Sequence, residues 1–246
     1  MSAIIERSTM DECSIHEHYE KFEFPKVKER KNPINILVPA GEFFKVVRAQ
    51  GDTGGKYMFA KVIVPPDVGP TPHIHHWTDE WFWAPNGGIH LIMGERHYND
   101  LSEIPGESVP KDNISITKMR PKELFYGGRG HMHGFFNTTG VTQELYLVWT
   151  PDTPDISILD YFLRAGQVVD VIDQRMTPNY ISRIRGVSLA PQWGINQSSS
   201  FWQYVNVGGV KEGRPHGDQD NQKERLIKLL RDGESYFDRV YEAAEI

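Results

Sequence analysis

The chain has 246 residues, 39% of them apolar and 24% charged, with 33 acids against 27 bases and a net charge of −6. That balance excludes the clustered positive charge of a nonspecific nucleic-acid binder, and no apolar run approaches the ~20 residues of a membrane span. Cys13 is alone, which excludes an internal disulfide and a thiolate metal cluster. The opening stretch MSAIIERSTMDECS has no basic start followed by an apolar run, so a cytoplasmic setting is expected.

Residues 1–34 are charged and irregular and read as an extended arm, with His16 and His18 inside it. From about 35 to 150 the pattern becomes strand-like. INILVP, FFKVVRA, YMFAKVIVP, EWFWAP, GIHLIMG, ISITKM, HGFFNTT and ELYLVWT are short, rich in β-branched and aromatic residues, and bounded by Gly, Pro, Asn or Asp. Such spacing predicts an all-β barrel or sandwich. Residues 96–113 interrupt it as a long polar loop. KMRPKELFYGGR, 118–129, reads as a solvated basic edge carrying Lys118, Arg120, Lys122 and Arg129.

After PDTPD, 151–155, ISILDYFLRAGQVVDVIDQ predicts a short helix, and MTPNYISRIRGVSLAPQWGINQSSSFWQYV an irregular, Pro/Gly-punctuated stretch. Leu226, Leu229, Leu230, Phe237, Val240 and Tyr241 recur at helical spacing, with Asp218 to Asn221 as caps and Gly233 as a break or bend. The expected organisation is an arm (1–34), one barrel (35–150) and a partly helical C-terminal extension (151–246) packed on it. A homodimer is the default assembly.

Chemistry concentrates in HIHHWTDE, 73–80. His73 and His75 are two apart, so on a strand both imidazoles face one side while Ile74 points away. His76 to Asp79 then read as a turn at the rim, and Glu80 opens the run EWFWA. Paired strands would bring Glu80 to the same face as an oxygen donor. Imidazoles with one carboxylate suit Fe, Mn, Ni, Co, Cu or Zn. A further ligand is expected downstream, where GGRGHMHGFFNTTG offers His131 and His133 at equal parity. Glycines 127, 128 and 130 there permit close backbone approach or positive φ. By alternation Phe82 shares the Glu80 face and Phe135 the His133 face, so both are candidate pocket walls. Trp81 and Trp83 would face outward, under the terminal segments or at a subunit interface.

These residues resemble the two motifs of the cupin superfamily. His73-x-His75, four residues, Glu80, six residues, Gly87 meets the first, although Gly69 lies closer to the histidines than in the usual pattern. In the second, Gly128 stands at the proline place, Gly130 fits, His133 takes the histidine place and Asn137 the asparagine place. The resemblance implies a cupin-type antiparallel β-barrel (jelly roll) over roughly 35–150. It also implies one divalent transition-metal ion held by His73, His75, Glu80 and His133, with His131 as a pocket or supporting residue. PHIHHWTDEWF together with APQWGI, 190–195, is similar to the quercetin-dioxygenase-like cupins. That narrower likeness implies a dioxygenase using O2 on an aromatic, flavonol-like or enolisable small molecule, with Glu80 as ligand and base. Two other functions fit the same residues: a metal-dependent isomerase or lyase of a small sugar or keto acid, and a noncatalytic small-ligand binder.

Overall fold

The computed structural model describes residues 19–103, 114–197, 211–212, 219 and 221–244. In chain order the strands are β1 (Ile34–Leu37), β2 (Phe43–Arg48), β3 (Met58–Val64), β4 (His73–His75), β5 (Asp79–Ala84), β6 (His90–His97) and β7 (Ile114–Lys118). They continue with β8 (Glu123–Gly127), β9 (His131–Phe136), β10 (Gln143–Thr150), β11 (Gln167–Val169), β12 (Ile195–Gln197) and β13 (Lys211–Glu212). The helices are α1 (Gln50–Thr53), α2 (Ile158–Ala165), α3 (Tyr180–Ser188) and α4 (Gln222–Ala244), with a 3-10 turn at Ala190–Trp193.

Two sheets face each other, in the orders β11-β1-β2-β3-β10-β5-β8 and β12-β4-β9-β6-β7-β13. Their pairings are antiparallel except β13 with β7. This is the expected jelly-roll class of antiparallel β-barrel, with helices after residue 150. The period-2 rule sorts the side chains. On β3, Met58, Ala60, Val62 and Val64 enter the inter-sheet core, where they meet Phe44, Val46, Phe82, Leu145 and Trp149.

The outer face of the first sheet is apolar too, because the ends of the chain cover it. Phe59, Trp81, Trp83 and Val148 pack with Phe22 of the N-terminal arm and with Leu226 and Leu230 of α4. Trp83 Nε1 donates to the Phe22 carbonyl at 2.9 Å, and Phe24 lies 5.3 Å from the Trp83 ring. Trp81 and Trp83 are therefore covered by the terminal segments, each large apolar side chain removed from water contributing about 1.5–3 kcal/mol.

Several sequence expectations are corrected. The edge expected at 118–129 contains a core strand, β8, with Phe125 buried. Charges on either side of ELFY hide its alternation. The stretch expected to be irregular holds α3, started by Asn179, whose side chain accepts from Ser182 N at 2.8 Å. Tyr180, Ile181, Ile184 and Val187 of α3 are exposed, so no inward apolar face marks it as a helix. Gly233 does not interrupt α4. A Cβ there would lie 2.2 Å from Tyr57, so the glycine serves close packing. The loop expected from 96 begins later, since β6 runs through His97; residues 104–113 and His216 lie outside the described residues, as do Cys13, His16 and His18.

Candidate metal centre

β4 is only three residues long, yet it is held on both sides. His73 pairs with His133 of β9, and His75 with Ile195 of β12. Directly opposed strand residues carry their side chains about 5 Å apart on one face, which aligns His73 with His133 across the ladder. Glu80 arrives from the other sheet, on β5 between Trp149 of β10 and Gly127 of β8. His73, His75, Glu80 and His133 each offer one donor atom, and those atoms lie within 4.8 Å of one another.

The individual distances are short. Nε2 of His73 is 3.0 Å from Nε2 of His75. Oε2 of Glu80 is 3.1 Å from Nε2 of His133 and 3.6 Å from Nε2 of His75. Nδ1 of His73 meets the Thr71 carbonyl at 2.9 Å. A carbonyl only accepts, so this contact puts the proton on Nδ1 and leaves Nε2 a lone pair toward the cluster. Nδ1 of His75 has the Thr78 hydroxyl at 3.2 Å. His133 is fully buried, and neither of its nitrogens makes a hydrogen bond among the described residues.

Burial sets the protonation. It lowers His73 and His133 to about 4 and holds His75 well below the ordinary imidazole range. All three rings are therefore neutral near pH 7, as metal ligation requires. Burial also pushes Glu80 up to about 8, so its carboxylate needs a compensating cation. Converging lone pairs, an orphaned imidazole and an uncompensated carboxylate fit one transition-metal ion, and the four residues could hold it.

The remaining candidates divide. His131 stands outside the group; its ring packs 5.0 Å from His97, its cross-strand partner. Phe135 lines the cavity over the cluster. Phe82 instead lies behind His133, at 5.5 Å between rings, and fills core. Asn137 is a loop staple: its amide donates to the carbonyls of Val64, Pro65 and Val141.

Asp79 is not at the rim. It is buried at the start of β5 and accepts from Arg129 N at 3.0 Å, Nε at 3.2 Å and Nη2 at 2.9 Å. Arg129, expected on a solvated edge, thus ties the second histidine segment to the residue beside Glu80. Gly127 is a second feature that the motif alone does not explain. It pairs with Glu80, and a Cβ on it would lie 2.8 Å from Nδ1 of His133.

A cavity of about 250 Å³ opens on His73, His75 and Glu80. Phe44, Trp149, Tyr161 and Phe162 give it aromatic walls, and Arg183 is the one lysine or arginine among its described lining residues. Glu42 also lines it, with its carboxyl buried and pushed up to about 7 by that burial. The sequence signal for Glu42 was parity: it stands two residues before the inward-facing Phe44.

Fold and site together describe a two-sheet barrel with a buried three-histidine, one-glutamate group on its inner wall. No protein-family model matches the chain, and no curated protein matches it. Among solved structures, the chain is similar to a cupin-superfamily sugar phosphate isomerase from Silicibacter pomeroyi: 18% identity and a TM-score of 0.31, over 44% of this chain and 59% of that one. The chain thus spans less than two thirds of that relative's length. It is similar also to KdgF from Halomonas sp., with 14% identity and a TM-score of 0.36, over 53% of this chain and 98% of that one. A predicted oxalate decarboxylase from Thermotoga maritima gives 13% identity and a TM-score of 0.36, over 52% of this chain and 99% of that one. Likeness at this level bears on no activity.

Proposed function

We propose that this chain is a metal-dependent dioxygenase acting on an aromatic, flavonol-like or enolisable small molecule. One observation carries the reading: an aromatic-walled cavity opens directly on three members of the four-residue cluster. Flat apolar ligands gain roughly 25 cal/mol per Å² buried against such walls, and their rings stack on Trp149, Phe162 and Phe135. A transition-metal ion held by His73, His75, Glu80 and His133 would supply Lewis acidity and one-electron redox capacity at that wall. Glu80 is the carboxylate placed to take the proton of a substrate hydroxyl, since it lines the cavity.

The isomerase or lyase reading expects inward-facing Lys or Arg residues toward a small sugar or keto acid, and among the described residues the lining offers Arg183 alone. Oxygen uptake by protein loaded separately with Fe, Mn, Co, Ni or Cu, with flavonols and catechols as substrates, tests the proposal. Consumption with at least one redox metal and none with zinc is expected. Turnover of a sugar or keto acid by the zinc form without O2 would replace the dioxygenase reading.

A further inference from the structure

Glu42 sits where a barrel should hold an apolar side chain. It closes the β1–β2 turn, in which Val38 N donates to the Glu42 carbonyl at 3.0 Å. Two residues on, Phe44 faces the inter-sheet core, and so does Val46. Glu42 therefore points inward as well, at 1% exposure. Neither carboxyl oxygen has a hydrogen-bond partner among the described residues. The neighbouring donor is already committed, since the Tyr161 hydroxyl donates to the Gly186 carbonyl at 2.7 Å. An unsatisfied buried carboxyl lowers stability, and an apolar side chain of the same size would suit the fold better. Such local conflicts are characteristic of functional positions.

We propose that Glu42 is the polar recognition group of the cavity, selecting ligands that bring a hydroxyl or amine donor on an otherwise apolar, aromatic body. The inference rests on the reading of this cavity as the small-molecule pocket. It assigns the cavity two polar contacts of different kinds: the four-residue cluster at one part of the wall and Glu42 at another. Thr71, Arg183 and Gln197 are the other polar side chains of the described lining, and the remaining lining residues are aromatic, aliphatic or glycine. No described residue donates to the Glu42 carboxyl, so the donor it requires is assigned to the ligand.

Three probes of similar shape test this: 2-naphthol, 2-(aminomethyl)naphthalene and 2-methylnaphthalene, titrated by quenching of tryptophan fluorescence, with Trp149 in the cavity wall. The intact protein is expected to bind at least one donor-bearing probe about tenfold tighter than 2-methylnaphthalene. The tighter of the two identifies the donor as hydroxyl or ammonium. In Glu42→Leu this preference should vanish, with 2-methylnaphthalene bound as before and the melting temperature raised. Glu42→Gln, close in shape, should retain the hydroxyl preference within a few-fold and lose any ammonium preference; it keeps the test decisive if the leucine variant does not fold. An unchanged ranking in the variants overturns the role of Glu42 and leaves the cavity reading intact. Failure of the intact protein to bind any of the three probes overturns both.

Discussion

Gly127 shows how a residue without a side chain controls one with a reactive ring. Its missing Cβ is the space that Nδ1 of His133 occupies, and the Phe82 ring closes the same gap at 3.1 Å. Gly127→Ala should force His133 out of alignment with Glu80 at a cost of about 1–3 kcal/mol in stability. Metal affinity should fall at least about tenfold, as for other losses of ligand support; metal titration and thermal melting check the two effects. At this scale, much of the centre was legible. Parity put His73 and His75 on one face, and the spacing to Glu80 and the downstream histidines pointed to convergence. What was not legible depended on strand pairing. Nothing near residue 79 signals that Asp79 meets Arg129, fifty positions away, and the parity of Glu42 with Phe44 turns it inward without signalling that it lines the same cavity as Glu80.

At the scale of elements, the terminal segments dock onto the first sheet by one apolar cluster and by ion pairs, among them those of Glu29 and of Glu234. In the arm, Glu29 accepts from Lys45 at 2.6 Å and Lys61 at 2.8 Å. The Lys45 ammonium first, and then Lys61, hold the Glu29 carboxyl down at about 2 from an ordinary 4.5. A lowered carboxyl pKa stabilises the fold above the unfolded value and loses that contribution as pH falls. The stability difference between the intact chain and Glu29→Gln should thus be full above about pH 4.5 and disappear as pH approaches 2. Because the pair is partly exposed, the full difference should be no more than about 1 kcal/mol; urea melts across that pH range measure it. On α4, Glu234 takes two hydrogen bonds from Arg48, at 2.8 and 3.1 Å, while Phe237 stacks 3.6 Å from its guanidinium. The Arg48 side chain is fully buried. Glu234→Ala strands that charge and should destabilise by about 3 kcal/mol, read as a lower urea midpoint; an unchanged midpoint would show that α4 does not depend on the pair. Eight strands were legible from turn residues and alternation. β8 was not, because charged neighbours mask it, and α3 was not, because its apolar side chains face outward.

For the whole molecule, the sheets and the centre depend on each other. Three histidines come from one sheet and the glutamate from the other, so the donor set exists only when the sandwich is closed. β12 extends this dependence to the segment after residue 150, since Ile195 pairs with His75, and a Cβ on Gly194 would lie 2.6 Å from Trp77. A bound ion would link the two sheets and raise the melting temperature, increasingly so as the free ion concentration exceeds its Kd. Elemental analysis of the purified protein beside His75→Ala is the most direct measurement. The account predicts about one transition-metal ion per chain in the intact protein and a near-complete loss in the variant. Equal metal content in the two, or none in an intact protein saturated with each candidate ion, would contradict it.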